Sequence, residues 1–342
     1  MRIGLIGAGE IGRIRAAAVA STAGFELVAV ADPAVERARA IHGEAFGDWR
    51  AVAEGETLEA VVVSTPPDTH EEIVVAALRA GKHVICEKPL APDREAARRM
   101  VSAARGCGRT LAVGFNQRHF PAVQFVKSFL DEGRLGAVRH VAAYAGHRGL
   151  AEFHAAWERD PQSTGGGALM DNGIHLIDLV RYLGGDFDYA EGVRSHAVWG
   201  QEAEDNAMAL LRAEDGRWAS LHASWSEWRG YRQAVEVFCQ RGVARVAYGP
   251  MYAAVTLVDE PGGRPRTTRR FYPGVAVREK LRGWQSTVVH TFSQELLDLA
   301  ARLRGEAVAS AEGFDGFRAV EIAQAVYSAS DERKAIELSD PF

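Results

Sequence analysis

Residues 2–12 read RIGLIGAGEIG, and residues 25–32 read FELVAVAD. The first five residues form a short apolar run. A glycine-rich turn follows, and residues 14–20 are rich in helix formers. This is the order strand, turn, helix. Gly7 allows the tight turn, Gly9 lets the backbone approach a diphosphate, and Gly12 lets the helix lie close to the strand. The start of such a helix presents unpaired N–H groups and the positive end of its dipole to phosphate. The second apolar run ends in Asp32, about 20 residues beyond the glycine turn, where the dinucleotide-binding pattern places an acid. A carboxylate there accepts hydrogen bonds from adenosine ribose hydroxyls and repels a 2′-phosphate. The pattern therefore predicts NAD. NADP stays open, because Arg37 is close enough in sequence to face a 2′-phosphate.

The alternation continues along the chain. Residues 58–64 (LEAVVVS) and 83–86 (HVIC) are strand-like runs with little polar alternation, as expected of strands covered on both faces. Helical stretches at 69–80 and 93–107 follow them, and another strand is expected at 110–115. Strands alternating with helices imply a doubly wound parallel sheet. Ligands of such sheets bind beyond the carboxyl ends of the strands. Thr65-Pro66-Pro67 and Glu87-Lys88-Pro89 stand at two such ends. A structural ion pair between Glu87 and Lys88 is the alternative to a role at the site.

The chain has 342 residues, more than one hydrophobic core usually serves, so two domains are expected, at 1–118 and 119–342, with C-terminal helices able to return to the first. It is 47% hydrophobic and 25% charged, the composition of a folded protein. A formal net charge of −5 does not suit a nucleic-acid partner. The basic cluster RPRTTRR at 264–270 reads as a solvated loop. Three well-separated cysteines, Cys86, Cys107 and Cys239, suggest neither a disulfide framework nor a metal site, and Cys86 is expected in a core. With no leader-like segment and no long apolar span, a soluble cytoplasmic protein is expected, without a membrane partner.

After residue 120 the pattern changes. A helix is expected at 122–132, a strand at 138–145, and several β-rich runs between 192 and 258, giving a mostly antiparallel sheet. Helices at 287–303 and 316–330 close the chain. Between the halves, residues 164–179 read TGGGALMDNGIHLIDL. A glycine loop precedes helical spacing. Asp171 and His175 are four residues apart and so share a helix face, which Asp178 continues. A carboxylate and an imidazole on one face can hold a hydroxyl and take its proton. No third clustered ligand suggests a metal.

Together GAGEIG with Asp32, STPPDTH (64–70), EKP (87–89) and GGGxxxDxGxH (165–175) resemble the Gfo/Idh/MocA oxidoreductases over nearly the whole chain. The resemblance implies an N-terminal Rossmann domain and a C-terminal α/β domain with an open, mostly antiparallel sheet, often used for homodimer or homotetramer contacts. It implies Lys88, Asp171 and His175 as catalytic residues. It places Gly7, Gly9, Glu10, Ile11, Gly12, Asp32, Thr65, Pro66, His70, Glu87 and Lys88 around NAD. Asn172 falls where some members contact substrate. The implied activity is hydride transfer between a nicotinamide cofactor and a secondary alcohol or ketone of a sugar or cyclitol. A redox-neutral use of NAD, or a non-catalytic sensing module, are the alternatives. Trp157, Trp225 and Trp228 are candidates to pack on a sugar ring, Trp157 first. Asn116, Arg118, His147, Arg148, His154 and Arg229 are candidates to bind hydroxyls or a carboxylate.

Overall fold

The apolar runs of the first third become β1 (Arg2–Ile6), β2 (Glu26–Ala31), β3 (Ala45–Phe46), β4 (Ala60–Val63), β5 (His83–Cys86) and β6 (Leu111–Val113). The computed structural model describes residues 1–153, 155–260 and 262–338. The chain separates into two units, Met1–His119 with Arg278–Arg318, and Phe120–Val277 with Ala319–Phe342.

In the first unit the strands are parallel and ordered β6-β5-β4-β1-β2-β3, and the two-residue β15 (Ala311–Glu312) adds an antiparallel edge beside β6. The sheet is buried on both faces: all four residues of β4 are buried, which is why the sequence there is an unbroken apolar run. Gly7, Asp32, Ser64 and Glu87 directly follow the carboxyl ends of β1, β2, β4 and β5. The strand order reverses its direction of growth between β1 and β4, the place where doubly wound sheets open to a ligand. Helix Glu10–Ser21 packs Ile14 and Ala18 against Phe292, Leu296 and Leu299 of helix Gln285–Leu303 in one core with Ile3, Leu5 and Val30.

The second unit holds a nine-stranded sheet. Its strands are β7 (Val138–Gly146), β8 (Tyr189–Ser195), β9 (Asn206–Arg212), β10 (Trp218–Ser224), β11 (Arg232–Cys239), β12 (Gly242–Tyr248), β13 (Tyr252–Leu257), β14 (Arg266–Phe271) and β16 (Ile336–Glu337). Their order is β14-β13-β12-β11-β7-β10-β9-β8-β16, and the β7–β10 pair alone among these neighbours is parallel. Helices Pro121–Asp131 and Ile174–Gly184 contact this sheet. On β9, Ala207, Ala209 and Leu211 are buried, while Met208 and Leu210 are exposed, the period of two expected of a sheet covered on one face.

One expectation is corrected. The RTTRRF segment is not a loop but the edge strand β14, paired antiparallel to β13. Every residue of it is exposed. Pairing through backbone alone leaves no buried alternation for a sequence pattern to report. Its arginines suit an unpaired edge, where charge discourages further strand addition. Among the described residues, no helix is long and apolar enough to cross a membrane, and no group of His, Cys, Asp and Glu could hold a metal ion.

Candidate active site

In the first unit, backbone sterics fix the glycine turn. Gly7 has φ +96°, and a Cβ there would meet the Ser64 carbonyl oxygen at 2.4 Å; one on Gly12 would meet the Gly7 carbonyl oxygen at 2.0 Å. Gly9 differs: a Cβ there would meet nothing within 4 Å, so open space lies beside the helix start. No side chain caps that helix, which leaves its first N–H groups to an anionic ligand. Asp32 is 8% exposed. Its Oδ2 accepts from the Ala8 N–H at 2.8 Å and its Oδ1 from the Ala34 N–H at 2.9 Å. The carboxylate thus pins the turn it serves, and each oxygen retains a second lone pair for a ribose hydroxyl. These residues fit an adenine dinucleotide. Glu10 is exposed, and Ile11, Thr65 and Pro66 are half-buried.

His70 sits deeper than a ligand-contacting residue. It is fully buried, with Nε2 2.9 Å from the Thr65 carbonyl oxygen and Nδ1 3.1 and 3.2 Å from those of Pro89 and Leu90. Burial lowers its pKa, opposed by the carbonyls and by the Glu87 charge. The ring ties the loop after β4 to the loop after β5, whose Lys88–Pro89 peptide is cis.

The Glu87 carboxylate pairs with Arg15, whose Nε lies 2.7 Å and Nη2 2.6 Å from Glu87 Oε1. The same guanidinium pairs with Glu295 and lies 3.4 Å over the Phe292 ring. Arg15 is 2% exposed and Glu295 3%. Burial pushes the Glu295 carboxyl up to about 7, with Arg15 pulling it down. For Arg15 burial acts to lower the pKa, but the two carboxylates outweigh it. Lys88 is half-buried, and its backbone N–H reaches Glu87 Oε2 at 3.3 Å. Asn116 is 8% exposed and donates from Nδ2 to Thr291 Oγ1 at 2.9 Å. Arg118 is buried and lies 3.3 Å from Asp315.

In the second unit, the glycine loop also answers to its surroundings. A Cβ on Gly166 would lie 2.1 Å from the Tyr327 hydroxyl, and one on Gly167 2.0 Å from the Glu204 carbonyl oxygen. Glu204 accepts from the backbone N–H groups of Gly167 at 2.7 Å and Leu169 at 2.8 Å, and from the Tyr327 hydroxyl at 2.8 Å. Burial raises its pKa, with those donors acting against the rise. The chain then forms a π-helical turn, Leu169–Gly173, before helix Ile174–Gly184. Such turns recur at functional sites. From 167 to 181 every residue is buried except Asp171 and His175. Asp178, expected to continue their face, is 1% exposed.

Asp171 Oδ2 lies 2.8 Å from His147 Nε2 and accepts from the Trp225 indole N–H at 3.1 Å. Trp225 is 1% exposed, so it braces the carboxylate rather than offering a face to a sugar. Trp157 is 39% exposed and Trp228 62%, with the Trp228 ring 5.7 Å from that of Trp199. Arg148 pairs with Glu152, and Arg229 with Glu227. His154 lies outside the described residues. Asn172 is 4% exposed, yet neither its Nδ2 nor its Oδ1 has a hydrogen-bond partner among the described residues. Arg15, Glu204, Tyr327 and Glu295 were not anticipated. An arginine among the apolar residues of the first helix was the one local signal; the others act over long sequence separations.

Residues 1–115 match the family model described as an oxidoreductase family with an NAD-binding Rossmann fold, and residues 123–245 match the C-terminal domain of the same family. An inositol 2-dehydrogenase of Rhizobium meliloti (strain 1021) is 28% identical, covering 99% of both chains. A 1,5-anhydro-D-fructose reductase of Ensifer adhaerens is 36% identical over 66% of this chain and 69% of its own length. A levoglucosan dehydrogenase structure in complex with NADH superimposes with a TM-score of 0.84 at 26% identity, covering 99% of both chains. The chain belongs to the Gfo/Idh/MocA family of NAD-binding oxidoreductases.

Proposed function

We propose that this oxidoreductase uses NAD to oxidise a secondary alcohol of a sugar or cyclitol, or to reduce the corresponding ketone. The observation that carries the reading is the pattern at 167–181, where Asp171 and His175 alone escape burial and Asp171 is braced by two N–H donors. Bound NAD supplies the hydride acceptor. His175 takes the proton of the substrate hydroxyl. Lys88 donates to the same oxygen and stabilises its developing negative charge. Asp171 accepts from a substrate hydroxyl and sets the ring's orientation. Asn172, buried without a hydrogen-bond partner among the described residues, is suited to bond a further hydroxyl, because a buried amide otherwise goes unsatisfied. Trp157 offers an apolar face to the ring.

The substrate class also draws on relatives named for inositol, levoglucosan and anhydrofructose. Asp32 supports NAD over NADP. Three free cysteines fit a reducing, cytoplasmic setting. The sheet of the second unit exposes Val193, Met208, Leu210 and Trp218, an apolar group suited to homo-oligomer contact. The test is NADH absorbance with myo-inositol, levoglucosan, aldoses and uronates, each with NAD and NADP. Tight NAD binding without turnover on the whole panel overturns the dehydrogenase reading. Product formed without NADH points to redox-neutral chemistry. A higher kcat/KM with NADP overturns the Asp32 argument.

A further inference from the structure

We propose that His147 is a positioning residue for Asp171, held in one neutral tautomer by the backbone of Gly149 so that it always presents an N–H to the carboxylate. The inference rests on the reading that Asp171 works on the substrate. It begins with the ring's two nitrogens. The Gly149 N–H donates to His147 Nδ1 at 3.0 Å, so Nδ1 carries a lone pair and not a proton. A neutral imidazole has a single N–H, which must then be on Nε2. Nε2 lies 2.8 Å from Asp171 Oδ2. The backbone bond therefore decides which nitrogen faces the carboxylate as a donor.

The arrangement is built and not incidental. Gly149 has φ +57°, and a Cβ there would meet Trp225 Cβ at 2.6 Å and Trp199 Nε1 at 2.8 Å. Only glycine brings its N–H to this ring. His147 is 6% exposed, its N–H donates to the Ser224 carbonyl at 3.1 Å, and its carbonyl accepts from Glu227 N–H at 3.1 Å. Phe153 and Trp225 flank the ring with centroids at 5.9 and 6.4 Å. The charged groups facing it are Asp171 and Glu152, whose Oε2 lies 3.6 Å from Nδ1 while its Oε1 accepts from Arg148. Turning the ring over would put carbons where Nδ1 and Nε2 stand and break the bonds to Gly149 and Asp171. With the Trp225 indole it holds Oδ2 from a second side, and Asp171 belongs to a π-helical turn.

Two measurements test this. Long-range nitrogen–proton NMR on histidine-labelled protein at pH 8 should show His147 protonated at Nε2; protonation at Nδ1 overturns the inference. Turnover with myo-inositol or levoglucosan, whichever is consumed, is then followed in His147→Phe, His147→Gln and Asp171→Asn, and in the His147→Phe, Asp171→Asn double variant. A hydrogen bond to a charged group predicts a loss of roughly 10- to 100-fold in kcat for His147→Phe. His147→Gln, which keeps an N–H near Nε2, should recover most of it. In the Asp171→Asn background His147→Phe should change kcat less than about 3-fold, because the group it positions is gone. Equal losses in both backgrounds would mean a general structural role and overturn the inference alone. Unchanged kcat in Asp171→Asn would overturn the reading of Asp171 and this inference with it.

Discussion

Replacing Arg15 by methionine tests how the loop carrying Lys88 is held. Methionine keeps an apolar stem but removes the guanidinium that lies over Phe292 and between Glu87 and Glu295. Glu87 and Glu295 are 8% and 3% exposed, so each carboxylate would be left buried without its counter-ion. Breaking a buried pair by removing one partner costs about 3–5 kcal/mol. For a unit of this size, about 2–4 °C per kcal/mol, the melting temperature should fall by roughly 6–20 °C.

The loss should also depend on pH. A buried carboxyl without its cation has a folded pKa raised above the unfolded value of about 4.3. Its contribution to stability is then full below about 4.3 and is lost as pH rises through the folded value. In the parent that limit for Glu295 is already about 7, with Arg15 present to lower it. Removing Arg15 moves it higher, so the variant should fall further behind the parent at pH 8 than at pH 5.5. Adding Glu295→Leu should restore part of the loss, since an apolar replacement of a buried ion is often neutral. Thermal unfolding of the parent, Arg15→Met and the double variant at both pH values decides the matter. A melting temperature within about 2 °C of the parent at pH 8, against the expected fall, or a larger loss at pH 5.5, would refute the reasoning.

Lys88→Met should lower kcat by roughly 10²- to 10³-fold, the effect of losing one preorganised donor, with the NAD dissociation constant changed little; full activity in a folded variant removes Lys88 from the chemistry. His175→Ala should lower kcat by about 10² to 10⁴, the range for a positioned acid–base group, and kcat within a few fold of the parent would exclude it. Gly167→Ala forces a Cβ toward the Glu204 carbonyl oxygen, 2.0 Å away. It should destabilise by about 1–3 kcal/mol through overpacking, which denaturant melts would read; an unchanged midpoint would contradict the contact.

The parallel half was legible because strands covered on both faces must be apolar throughout. β5 (His83–Cys86) lies where the run HVIC placed it, and β1 where RIGLI did. Strands of two residues, β3, β15 and β16, are too short to carry a period. Helix Pro273–Arg282 buries only Val275 and so has no apolar face to announce it. Motif spacing pointed to Lys88 in the first unit and to Asp171 and His175 in the second as candidates. It could not find what holds their surroundings, because Arg15 meets Glu295 and Glu204 meets Tyr327 across long stretches of chain with no local pattern.

The spacing of Asp171 and His175 shows how a pattern can conceal what orients its side chains. Four residues on an α-helix place two side chains on one face. Here, however, the segment from Leu169 to Gly173 is a π-helical turn, which widens the backbone ladder at Asp171 itself. Helical period alone therefore does not orient the carboxylate. Its direction comes from outside the helix, through His147 at the end of β7 and Trp225 just beyond β10. These two strands form the parallel pair of the nine-stranded sheet, so their carboxyl ends emerge side by side. The pair Ser224↔Gly146 ends that register, and His147 and Trp225 are the next residue on each chain. An antiparallel pairing there would bring the carboxyl end of one strand to the amino end of the other. The single parallel contact thus brings both N–H donors to one oxygen.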